Sequence, residues 1–205
     1  LREYIKTFGQ DKIILMEHNT DIFGQSMDIS HSANTQPPVR LRSPETAQHA
    51  TDVRDDLFMP ELYRYTFPEL VATNRECGED EESYKAMAGF SFLYGLRFDM
   101  TIYRCCGSLR DIPRYAAYLK EISALYEQYG DFLLRGRFVD GDGFTSDSEN
   151  VLVKGWEGCN GGLAVSLWNP TGEDQVVNLR SRKTGRAVTI IVPAERVAAA
   201  VIDEA

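Results

Sequence analysis

Lys12–Asp28 reads KIILMEHNTDIFGQSMD: an apolar run that ends by releasing three carboxylates, Glu17, Asp21 and Asp28, with His18 and Asn19 beside the first. Ile13 to Met16 is short, unbroken and apolar, which is the pattern of a strand covered on both faces. Strands of that type belong to parallel sheets, and the carboxyl ends of such strands collect the loops that face a ligand. Glu17 stands where the strand leaves the core, and Asp21 follows in the loop. An acid emerging from apolar surroundings is also the one whose proton desolvation would retain.

Working outward, Arg2–Gly9 reads as the end of a helix stopped by Gly9. The polar, Pro-broken stretch from Ser30 to Asp56 reads as a long loop with His31 and His49 solvated in it. Asp56–Glu69, DLFMPELYRYTFPE, reads as a second strand and its exit loop, interrupted by Pro60 and Pro68. Glu79–Gly95 predicts a helix with acids at its start and Gly95 at its end. Leu96–Tyr103, LRFDMTIY, is a third strand. In the following segment, Ile112, Tyr115, Ala116, Leu119, Ile122, Tyr126, Tyr129 and Leu133 recur at spacings of three and four, which predicts one long amphipathic helix over Asp111–Phe132.

From Asp140 onward the texture changes. VLVKGWE, GGLAVSLWNPT, DQVVNLRS, AVTIIVP and ERVAAAVID are β-rich segments separated by Gly, Asn, Pro and charged turns, the signature of a small antiparallel sandwich. The expected organisation is therefore α/β followed by all-β. Residues 1–145 have room for three or so units of a (β/α) barrel, since a full barrel needs ~250 residues, and residues 146–205 form the sandwich. The chain begins at Leu1 rather than Met, which adds to the expectation of a longer parent protein.

Bulk composition narrows the partners. A net charge of −9 with no cluster of Lys and Arg argues against nucleic acid and anionic lipid. No apolar run approaches the ~20 residues that span a bilayer. The four cysteines, Cys77, Cys105, Cys106 and Cys159, lack metal-ligand spacing and read as small buried residues suited to a reducing, cytoplasmic compartment. DGDGFTSDSE at Asp140 lacks the acid and glycine that an EF-hand needs at its fifth and sixth positions. GCNGG carries no phosphate-loop Lys. No metal and no cofactor is expected, and the oligomeric state stays open.

Acids, arginines and tyrosines gather instead near the three strands. Tyr63, Arg64 and Glu69 surround the second, and Arg97, Asp99 and Arg104 lie along or after the third. Carboxylates and guanidinium groups hydrogen-bond sugar hydroxyls, and aromatic faces stack on pyranose rings. Glycoside cleavage needs two carboxyl groups, one protonated and one ionised, and Glu17 and Asp21 are the candidates. Trp156 and Trp168 read chiefly as core. Arg64, Arg97 and Arg104 leave open a lyase or isomerase that grips a substrate carboxylate.

KIILMEHNTDIFGQSMD, PELYRYTFPE, FLYGLRFDM and VSLWNPT, taken in that order, resemble the last barrel strands and C-terminal sandwich of bacterial glycoside hydrolases of the α-galactosidase-like type, or of a related group of glycosidase-like barrel proteins. The resemblance implies a hydrolase acting on an oligosaccharide or glycoside with two carboxylic acids. One commonly lies on a mid-barrel strand upstream of Leu1, and the other matches Glu17 or Asp21. It equally accommodates a carbohydrate-binding or scaffold protein with a degenerate barrel.

Overall fold

The computed structural model describes residues 2–17, 24–31, 60–78, 83–102 and 107–203, with backbone alone at 17, 74–78, 83–84 and 100–102. Asp21, Arg104, Cys105 and Cys106 lie outside the described residues. The chain is mixed α/β in its first part and antiparallel β in its second.

Helix α1 (Arg2–Lys6) leads into strand β1 (Leu15–Glu17), which pairs in parallel with β2 (Ile29–His31). Helix α2 (Pro60–Thr66) precedes β3 (Val71–Gly78), and helix α3 (Ser83–Leu93) precedes β4 (Arg97–Ile102). The four strands form one parallel sheet in the order β1-β2-β3-β4. Helix α4 (Pro113–Leu133) then crosses to the β-rich part, starting on Pro113, whose missing N–H is no loss in a first turn.

Two expectations fail here for physical reasons. Pro60–Thr66 is a helix rather than a strand: Pro60 sits at its first position, Glu61 in its first turn, and Pro60, Tyr63, Arg64 and Phe67 share a face, with the Tyr63 and Phe67 rings 5.5 Å apart. Strand β1, expected to be covered on both faces, is an edge of the sheet order: Ile14 is buried, while Ile13 is 63% and Leu15 50% exposed.

The C-terminal part contains β5 (Arg137–Asp140), β6 (Phe144–Ser146), β7 (Leu152–Glu157), β8 (Leu163–Trp168), β9 (Gln175–Ser181), β10 (Ala187–Val192) and β11 (Val197–Asp203). They make two antiparallel sheets, β11-β8-β7-β5 and β10-β9-β6. The first recruits Arg137–Asp140 and the second Phe144–Ser146, both at or before the expected boundary at 145/146.

Alternation explains the layering. Strand β9 alternates buried and exposed residues, one face in and one face out, whereas β8 is buried at all six positions. Val165 and Leu167 of β8 join Val177, Leu179 and Ile202 in the core between the two sheets. Its other face, with Trp168, packs with Trp156 and Phe138 against α3 and α4, together with Phe92, Tyr115 and Ile122. Ala72 and Phe98 bring the parallel sheet to the same helices. Both tryptophans are therefore core residues: the Trp156 indole N–H donates to Ser166 Oγ at 2.9 Å, and Ser166 donates to the Leu93 carbonyl at 2.8 Å. Cys159, expected to be buried, is exposed. Among the described residues no helix is long and apolar enough to cross a membrane.

Asp28, one of the three acids of the opening stretch, is a structural clamp. It accepts the Ile14 N–H at 2.9 Å and pairs with Arg2 at 2.8 Å, tying α1 to β1 and β2. The Ile14 N–H, followed by Arg2 and Lys6, holds its carboxyl below the ordinary value of 3.8 against the opposing effect of burial. A depressed native pKa contributes stability that is fully present above 3.8 and is lost as the pH falls through the native value below it. Asp28→Asn is thus expected to lower the thermal midpoint at neutral pH and to converge on the parent protein in acid. Parallel pH profiles for the two proteins would show that the clamp contributes nothing.

Candidate functional site

Backbone register decides which polar residues meet. Glu17 is level with His31, and Ile29 and Ser30 pair with Val71 and Ala72, so one residue further on His31 comes level with Thr73. Thr73 pairs with Arg97 and Arg75 with Asp99. Side chains alternate along a strand. Because Ala72 and Phe98 face the helices, His31, Thr73, Arg97 and Asp99 belong to the opposite face. In a barrel that face is the interior. His31 Nε2 donates to an Asp99 carboxylate oxygen, joining β2 to β4 across β3.

His31 is a correction and a residue missed in the sequence. It ends a strand and lies half-buried, rather than being solvated in a loop. The signal was faint: a three-residue strand has no periodicity to read, and only the run Met27-Asp28-Ile29-Ser30 hints at it.

The expected mouth is only partly assembled. Tyr63, Arg64 and Glu69 were placed at the carboxyl end of a strand, but α2 puts them before β3, at the amino ends of the sheet. There Arg64 and Glu69 join Arg97, Arg135 and Arg137 around a cavity of about 440 Å³. Tyr63 is half-buried next to Phe67, and burial raises its hydroxyl pKa. Glu17 keeps the expected place at the exit of β1, and Asp99 lies on the sheet's polar face.

No protein-family model matches the sequence, and neither does any curated protein. The fold resembles that of an amylase. A solved structure of the noncanonical maltogenic α-amylase AmyB from Thermotoga neapolitana is similar, with a TM-score of 0.51 and 13% identity over 98% of this chain and 55% of that one. The chain spans about half the length of that enzyme, and at this identity the likeness is one of fold.

A second polar cluster lies between α2 and the sandwich. Lys154 Nζ sits 2.7 Å from Glu61 and 2.6 Å from Asp140, and 5.5 Å above the Tyr94 ring. The Tyr94 hydroxyl donates to Glu61. Burial works to raise the Glu61 pKa, but its bonds from Lys154 and Tyr94 outweigh that and hold it below the ordinary value. Burial likewise opposes the Lys154 charge, and the two carboxylates prevail and raise it. Every charge here has a partner, so the cluster reads as a clamp joining α2 to β5 and β7.

Proposed function

We propose that this chain is the closing part of a barrel-type glycoside hydrolase, residues 1–145 contributing the last barrel units and the following residues a buttressing sandwich. Its ligand is an oligosaccharide or glycoside, held over the polar face of the parallel sheet. Glu17 or Asp21 supplies one of the two carboxylic acids, while Arg97, Asp99 and Arg104 orient the sugar through hydroxyl hydrogen bonds. His31, locked to Asp99, stiffens that face.

The observation that supports this reading is the register that sets Glu17 level with His31 and brings His31, Arg97 and the strand-mate Asp99 to one face of a parallel sheet, in a fold similar to an amylase. Tyr63, Arg64 and Glu69 have no part in it, because they lie on α2 and the turn before β3 rather than on a strand of that face.

The test is turnover of maltooligosaccharides and a panel of aryl glycosides by the full-length gene product. Glu17→Gln or Asp21→Asn is expected to lower kcat about a hundredfold with little change in KM, the loss typical of a missing acid or base. Unchanged rates in both variants would remove these residues from the mechanism. Saturable sugar binding without turnover by the parent protein would make the chain a binding module instead.

A further inference from the structure

The cavity at the amino ends of β3 and β4 has an electrostatic property that a neutral sugar does not satisfy. Arg64 is only 7% exposed, its Nε has no hydrogen-bond partner, and it makes no ion pair among the described residues. Its guanidinium carbon lies 5.1 Å from the centroid of the Trp156 ring, and Arg64 lines the cavity. Arg97 adds a second positive charge close enough to oppose that of Arg64. Arg135 and Arg137 stand at the exposed rim, already paired with Asp131 and Glu157. Glu69 is the one carboxylate among the described lining residues, and it is exposed and forms no pair with Arg64.

A buried cation without a counter-charge is unfavourable unless something supplies one. In a chain of net charge −9, two arginines beside one cavity that form no ion pair among the described residues are a local exception to the overall field. The guanidinium fork matches the two oxygens of a carboxylate or a phosphate. We propose that this cavity binds an oxyanion, a carboxylate or phosphate group of a small ligand, between Arg64 and Arg97. The site shares Arg97 with the polar sheet face but is centred on Arg64, which has no part in the sugar reading, so anion binding stands or falls apart from glycoside cleavage.

Trp156 provides the readout, because the ion that the anion would pair with lies against its ring. The chain is titrated with inorganic phosphate and, separately, with glucuronate, at ionic strength held constant with sodium chloride, while tryptophan fluorescence is followed. A saturable change with at least one of the two anions is expected, and the stronger binder identifies the class of group preferred. Arg64→Met and Arg97→Gln should each weaken binding about tenfold or more, the loss of one charge-assisted contact. Should Arg64→Met fail to give the parent circular dichroism, Arg97→Gln, at a half-buried strand start, carries the test alone. No saturable change with either anion, or parent affinity in Arg97→Gln, would overturn the proposal.

Discussion

Lys154→Met is expected to destabilise the protein by about 3 kcal/mol, near the lower end of the cost of removing one partner from a buried ion pair. The methionine preserves the apolar stem over Tyr94 and removes only the ammonium. Glu61 and Asp140, both within 2.7 Å of that ammonium, then face the same space as two carboxylates without a cation. Their side chains remain 31% and 34% exposed, so water recovers part of the loss, which is why the upper end of the range is not reached. In a chain of this size the change amounts to a drop of about 6–12 °C in the thermal midpoint. A double-mutant cycle apportions it. Glu61→Gln alone should cost little, since Lys154 retains Asp140, and in the Lys154→Met background it should restore stability by removing one of the two repelling charges. A loss below about 1 kcal/mol, or no coupling in the cycle, would mean that the cluster is a surface arrangement of the ordinary weak kind.

How much of this was legible in the sequence depends on the length of each pattern. The long helix α4 repeats its apolar face often enough to define itself, and the five C-terminal strands are set off by Gly, Asn and Pro turns. Short elements carry no such statistics. Pro60–Thr66 spans two turns, and its aromatic residues suit a strand as well as a helix; the deciding fact, the fit of Pro60 at a helix start, is visible only once the register is known. The three residues of β2 and those of β6 are defined by their partners rather than by themselves. The acids of the opening stretch divide in a way that local reading does not anticipate. Asp28 holds the Ile14 N–H and Arg2, while Glu17 exits β1 beside His31. Arg64 was expected at the carboxyl end of a strand; its place before β3, its contact with Trp156 and its position beside Arg137 come from long-range packing of α2 against the sandwich junction. For the same reason the Lys154 cluster went unread, since Glu61, Tyr94, Asp140 and Lys154 belong to four separate segments of the chain.

Gly95→Ala is expected to cost about 2–5 kcal/mol, adding a left-handed backbone penalty of about 1–2 to an overpacking penalty of about 1–3. Gly95 ends α3 at φ +62°, with its N–H donating to the Phe92 carbonyl and the Leu96 N–H to that of Ser91, the paired bonds of a helix closed by a left-handed residue. A Cβ there would lie 2.6 Å from the Leu133 carbonyl oxygen and 2.7 Å from the Trp156 ring. Neither neighbour is free to retreat: one is backbone at the end of α4, the other a fully buried indole. Gly161 separates the two contributions, because it also has a positive φ, +83°, but nothing lies within 4 Å of its added Cβ. Gly161→Ala should therefore show the backbone penalty alone, about 1–2 kcal/mol. Equal losses at the two glycines would mean that the junction of α3, α4 and Trp156 yields readily, and the packing that fixes Arg64 and Arg97 at the cavity would lose its support. A larger loss at Gly95 ties the turn that starts β4 to the tryptophan on which Arg64 lies, so that the geometry of the cavity and the stability of the junction rest on the same few contacts.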